Sequence, residues 1–378
     1  MQRTEYPLLS PSLGSQKTLV AFHFGVAGAG PKVYIQASLH AEELPGMLVA
    51  HHLRERLEAA EREGHFCGEV ILVPAANPIG LSQRLDHRAM GRFEFDTAQN
   101  FNRHYPDMAA AVLEDALPLM GNDAGANVDT VRRLVGQWLT QWQPASELES
   151  LRRQLLLLSH DADLVLDLHC DTEAVMHLYS EEACWAPFEP LARLLGCRAV
   201  LLARESGGGP FDERLSGLWW QLAAAVKKAG VTAPLPQACA STTVELRGEA
   251  DVSHELARQD AQAIEAFLLH AGVLGGQPSP TLPPMACEPT PLAGSQTLRS
   301  PVPGVLVFLA RPGDRLSVGD VVAEVIDPTA GSARVHAVRA EVPGIFYAAV
   351  RERYIVAGGE VGKIAGPTPF RSGDLLGA

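Results

Sequence analysis

The chain is short of positive charge. Its 31 Lys and Arg stand against 44 Asp and Glu, a formal net charge of −13 over 378 residues. A surface so poor in cations cannot neutralise phosphates in bulk, which argues against a nucleic-acid partner. One or two local arginines would still suffice for a small anionic ligand. There is no CxxC pair: Cys67, Cys170, Cys184, Cys197, Cys239 and Cys287 are scattered, which fits reduced thiols better than a disulfide framework or a thiolate zinc site. A cationic segment leading into a long apolar run is missing at the start, and no run of about eighteen apolar residues occurs anywhere. The expectation is a soluble, cytoplasmic protein with no membrane partner. Neither G-x-x-x-x-G-K-[ST] nor a strand-linked G-x-G-x-x-G is found, so Ser206-Gly207-Gly208-Gly209-Pro210 reads as a flexible loop and not a phosphate cradle.

What is present is a 47% hydrophobic content, enough for a large core. Val33-Tyr34-Ile35-Gln36-Ala37-Ser38-Leu39 reads as a buried strand that ends in His40, Glu42 and Glu43. Leu44–Arg62 follows as an amphipathic helix with Pro45 in its first turn. Gly68–Ala75 is the next apolar strand, so the three elements make a βαβ unit. Open α/β sheets place their sites at the C-terminal strand edge, where His40 and Glu43 fall. Alone, His-x-x-Glu is a weak signal whose bland reading is a solvated strand end with a helix-capping carboxylate.

A second apolar strand, Leu164-Val165-Leu166-Asp167-Leu168-His169, also ends in histidine. Asp167 lies two residues before His169 on the same face, placed to ligate or, more plausibly, to orient the imidazole by accepting its far N–H. Val244-Glu245-Leu246 puts a carboxylate inside a third β-prone stretch, where it needs a partner or a chemical task. Two His and one Glu are a common ligand set for catalytic zinc, with one position left for water. Between the strands, a polar loop carries Arg84, Arg88, Arg92 and the pair Asn102-Arg103, an amide beside a fork donor suited to a carboxylate. At least two of these arginines should be plain surface charge.

Residues 275–293 are rich in Pro, Gly, Ser and Thr and read as a linker between an α/β domain, 1–274, and a tail, 294–378. The tail contains a repeat of period 40: Arg299, Val302, Pro303, Gly304, Arg311, Gly319 and Val321 recur as Arg339, Val342, Pro343, Gly344, Arg351, Gly359 and Val361. Short strands joined by Gly turns predict a small all-β domain of two intertwined halves. Its motifs resemble the barrel-sandwich fold of lipoyl and biotinyl carrier domains. The modified lysine of those carriers is missing, since Lys363 is the tail's one lysine.

His-x-x-Glu, Asn-x-x-Gly, an Arg upstream of Asn-x-Asn-Arg, Asp-Leu-His and Val-Glu-Leu-x-Gly occur in this order. The ordered set resembles the succinylglutamate desuccinylase/aspartoacylase family of the zinc carboxypeptidase clan, over roughly residues 30–270. The resemblance implies a mixed, mostly parallel sheet with helices on both faces plus the C-terminal all-β domain. It implies one Zn2+ per chain on His40, Glu43 and His169, and Glu245 as the carboxylate that takes a proton from the attacking water and passes it to the leaving amine. Arg92, with Arg84 as the alternative, would polarise the scissile carbonyl, and Asn102 and Arg103 would hold a substrate carboxylate. Ala41-Glu42 departs from the usual Gly-Asp or Gly-Asn. Arg247 stands where Gly is common, either to touch substrate or to pair with Glu249. The expected activity is deacylation of an N-acyl amino acid or related small N-acylated amine that carries a carboxylate. A peptide-cleaving zinc carboxypeptidase and an inactive binding or carrier-like protein are the competing readings. A homo-oligomer stays open.

Overall fold

A computed structural model describes residues 1–332 and 334–376. Its centre is a nine-stranded sheet in the order Gln2–Pro7, Thr18–Gly25, Glu69–Val73, Lys32–Ala37, Leu164–Asp171, Ala240–Gly248, His177–Glu181, Ala199–Ala203, Thr290–Pro291. From Glu69–Val73 through Ala240–Gly248 the neighbours run parallel. His177–Glu181 is antiparallel to Ala240–Gly248, and the strands beyond it are parallel again. The fold is thus mixed α/β with a mostly parallel sheet.

Alternation along the strands feeds two cores, because successive side chains point to opposite faces. Val33, Ile35 and Ala37 pack with Val49, Leu53 and Leu57 of helix Pro45–Arg62 and with Ile264 and Phe267 of helix His254–His270. On the other face Tyr34, Ile71 and Val165 pack against residues of helices Met108–Ala116, Ala124–Gln141, Glu147–Ser159 and Phe211–Lys228. With helices on both faces, the central strands can be apolar throughout. Side-chain oxygens of Asp107, Asp123, Ser146 and Ser253 start four helices by accepting an amide three residues on.

Each copy of the 40-residue repeat folds into four strands. The first supplies Ser295–Arg299, Gly304–Phe308, Arg315–Leu316 and Val321–Ile326, and the second Val335–Arg339, Gly344–Ala349, Tyr354–Ile355 and Glu360–Ala365. Each of the two sheets of the tail takes two strands from each copy. One sheet runs Ser295–Arg299, Glu360–Ala365, Gly344–Ala349, Arg315–Leu316, and the other is the same order with the copies exchanged.

The tail is locked to the α/β domain. Ala349 and Ala348 pair with Glu173 and Ala174, just beyond the His169 strand. Lys363 Nζ lies 2.9 Å from Asp171 Oδ2, and Arg353 Nη2 lies 2.8 Å from both oxygens of Glu173. Within the Pro-rich 275–293 segment, Thr290–Pro291 is the ninth strand of the main sheet, parallel to Ala199–Ala203. No helix among the described residues is long and apolar enough to cross a membrane.

Candidate active site

The strands Lys32–Ala37, Leu164–Asp171 and Ala240–Gly248 are consecutive in the sheet, so their C-terminal ends lie side by side. Ser38 makes the turn out of the first at φ 58° and donates its hydroxyl to Glu43 O at 2.7 Å, which closes the His40–Glu43 loop. The three ends bring His40, Glu43, His169 and Glu245 to the rim of one cavity of 710 Å³. Glu245 is the direct cross-strand partner of His169.

His40, Glu43 and His169 form a buried group whose ligand atoms lie within 4.8 Å of one another, and it could hold a metal ion. Glu43 Oε1 is 2.9 Å from His40 Nδ1, and its Oε2 is 2.7 Å from His169 Nδ1. The far nitrogens decide what fits between them. Asn100 Oδ1 accepts the Asn102 amide at 2.8 Å, which fixes the orientation of its carboxamide, and the same oxygen lies 2.8 Å from His40 Nε2. Asp167 Oδ2 lies 3.1 Å from His169 Nε2. His40 Nε2 therefore donates to Asn100 Oδ1, and its Nδ1 presents a lone pair to a carboxylate that can only accept. Two imidazoles and a carboxylate converging on one point are a zinc-type donor set.

The three groups shift one another's proton affinity. Burial would raise the Glu43 carboxyl, but His40 and His169 hold it well below the usual carboxylate range. Burial, then Arg92, pushes His40 down to about 4. Burial would also lower His169, yet Asp167 and Glu43 raise it well above an ordinary histidine. Asp167 is itself held by Gln36 Nε2 at 3.0 Å, and Gln36 Oε1 accepts from Tyr34 at 2.9 Å. Burial first, and Glu43 second, push Glu245 up to about 8. Its Oε2 has no hydrogen-bond partner in the structure.

Arg92 reaches the group: its Nη1 lies 3.4 Å from His40 Nδ1 and 3.5 Å from Glu43 Oε1. Its side chain is 42% exposed, open to the cavity. Asn102 Nδ2 stands 3.4 Å from His169 Nε2, while its Oδ1 accepts the Phe211 amide. Arg103 lines the cavity and donates to Asn102 O at 2.7 Å.

Two arginines are not brought to the site. Arg84 sits on the exposed hairpin Arg84–Leu85/Arg88–Ala89 and donates to His87 O. Asp86 and His87 both have positive φ, 48° and 65°, the geometry of a type I′ turn that carries the arginine outward. Arg247 pairs with Asp260 on the neighbouring helix and not with Glu249. It lies at a register shift between Glu245 and Gly248, with φ 64°. That left-handed backbone is why glycine suits the position. Glu42 turns its carboxylate to the Gly91 amide at the cavity rim.

The sequence reading gave Asn100 no role, although the Asn-x-Asn-Arg motif contains it. The tail, which the sequence reads as structural or as a lid over the site, lines the cavity through Ser295, Tyr347, Lys363, Arg371, Asp374 and Leu375. Lys363, half-buried and the one lysine of its domain, was the available signal.

An α/β domain with a buried His-Glu-His group at its strand ends, beside a carboxylate and an arginine in one cavity, has the layout of a hydrolase. Residues 29–271 match the family model of the succinylglutamate desuccinylase/aspartoacylase catalytic domain. The chain belongs to that family. A search of curated proteins returns no match to it. Among solved structures it is similar to a succinylglutamate desuccinylase/aspartoacylase family protein of Shewanella amazonensis, with 26% identity, 97% of this chain and 98% of the other covered, and a TM-score of 0.84. A second such protein, from Shewanella frigidimarina, is 24% identical over 97% of each chain, with a TM-score of 0.83. The ectoine utilization protein EutE (DoeB) of Ruegeria pomeroyi shares the fold at 18% identity, covering 96% of this chain and 93% of its own, with a TM-score of 0.64.

Proposed function

We propose that the protein is a zinc-dependent deacylase that hydrolyses the amide bond of an N-acyl amino acid, or of a related small N-acylated amine carrying a carboxylate. The observation that carries this reading is the convergence of His40, His169 and Glu43 on one point. One zinc ion per chain would be held there by His40, Glu43 and His169. A cation so held supplies Lewis-acid chemistry, acidifying water and offsetting charge on a carbonyl oxygen.

The other steps belong to the chain. Glu245 takes the proton of the attacking water on its unpartnered Oε2 and returns it to the leaving nitrogen. Arg92 donates to the carbonyl oxygen as negative charge develops. Arg103 and Asn102 hold the substrate carboxylate, which fixes the distance from that group to the scissile bond. The cavity of 710 Å³ suits a small molecule and is walled by both domains.

The test is metal analysis combined with rates on N-acetyl and N-succinyl amino acids and on short peptides. Expected are about one zinc per chain, loss of activity on chelation, recovery with zinc, and faster cleavage of the acylated amino acids. Faster cleavage of the peptides would make the protein a carboxypeptidase instead.

A further inference from the structure

A second cluster of potential metal ligands lies outside the cavity, on helix Pro45–Arg62. His51, His52 and Glu55 occupy one turn, and their ligand atoms lie within 4.8 Å of one another. Helical spacing puts Glu55 on the side of both histidines. His51 Nε2 is 3.6 Å from Glu55 Oε1, and His52 Nδ1 is 3.4 Å from its Oε2. The two rings meet edge to face with centroids 4.9 Å apart.

His52 is the anchor of the group. Only 6% of it is exposed, and its Nε2 lies 2.9 Å from Nδ1 of His254, the first residue of the facing helix. Two imidazole nitrogens at that distance share one hydrogen. When His254 accepts it, His52 Nδ1 turns a lone pair toward Glu55, and the carboxylate oxygen there has no hydrogen to receive. This is the arrangement of His40 in the cavity, with Nε2 held by Asn100 Oδ1 and Nδ1 facing Glu43. His51 and Glu55 are exposed, with side-chain accessibilities of 46% and 58%, so a cation can reach them from solvent. Helix Pro45–Arg62 is also held in place, since Arg56 pairs with Glu265 across the same helix contact.

We propose that His51 Nε2, His52 Nδ1 and the Glu55 carboxylate form a second Zn2+ site at the surface, with His254 as the acceptor that sets His52. Two imidazoles and a carboxylate leave a position for water, and the set suits zinc and cobalt better than calcium or magnesium. Exposure makes the site weaker and faster to exchange than the cavity group. It is independent of the reading of the cavity.

Equilibrium dialysis of the whole protein against buffered free Zn2+ tests this. Wild type should take up a second equivalent at higher free zinc. His51→Ala and Glu55→Ala should lose that equivalent and keep the first, whereas His40→Ala should lose the first and keep the second. Both substitutions at the surface replace exposed side chains, so they leave the fold intact. Zinc in excess should raise the melting temperature of His40→Ala, and adding Glu55→Ala should remove that rise. The proposal is overturned if wild type stops at one equivalent, or if the second persists in both His51→Ala and Glu55→Ala.

Discussion

Asp167 Oδ2 lies 3.1 Å from His169 Nε2, two residues along the same strand. Asp167 is fully buried and its other oxygen is bound by Gln36, so the carboxylate cannot swing away. It fixes which nitrogen of His169 faces Glu43. Replacing Asp167 by Asn keeps the shape and removes the charge. Zinc affinity, measured by competition with a chromophoric chelator, should fall about 10- to 100-fold. His40→Ala and Glu43→Ala should lose the metal altogether, and Glu42→Ala should retain it.

Glu245→Gln separates chemistry from metal binding. The amide cannot take a proton, so turnover should fall by about 10²- to 10⁴-fold with zinc content unchanged. Turnover near wild type would remove Glu245 from the proposed mechanism.

Arg247 combines a left-handed backbone with an ion pair to Asp260. Arg247→Gly relieves about 1 kcal/mol of backbone strain but leaves Asp260 buried and unpaired, which costs about 3 kcal/mol, so the single variant should be less stable. Arg247→Gly combined with Asp260→Asn should recover most of that loss. Denaturant midpoints of the two variants give the comparison.

Glu213 and Glu181 give the fold a pH dependence away from the metal group. Burial, then Asp212, pushes Glu213 up to about 8, and burial pushes Glu181 up to about 7. Their folded forms hold protons that the unfolded chain releases near the usual 4.5. Their contribution is complete below pH 4.5 and is lost as pH rises through 7 and 8. Urea midpoints should therefore decline across this window, and Glu213→Gln should decline less steeply. An unchanged slope in that variant would assign the effect elsewhere.

The tail wall offers a test of substrate size. Leu375 is buried against Tyr179, Leu201 and Tyr347, and its amide donates to Ser206 O at 2.8 Å. Leu375→Ala enlarges that end of the cavity. KM for the shorter acyl groups should rise and that for longer ones should not. Equal changes across the series would mean that Leu375 supports the wall only structurally.

The convergence of His40, Glu43 and His169 was legible because each residue ends or closely follows an apolar strand, and strand ends of a parallel sheet lie side by side. The arginines were harder. Arg84 and Arg92 sit in one loop, and only the turn at Asp86 and His87 decides which of them reaches the group. Arg247 misled because alternation predicts its direction only while register holds, and a bulge intervenes. Thr290–Pro291 was hidden because two residues show no periodicity. The part of the tail in the cavity depends on how two domains dock, and no local pattern records that.

The exchange of strands between the repeat copies sets an order of assembly. Ser295–Arg299 completes its sheet only by pairing with Glu360–Ala365, made some sixty residues later. During synthesis His40, Glu43 and His169 emerge long before this wall can exist. The group and the wall that closes its cavity are thus made at separate times, and the tail is the last part of the enclosure to form.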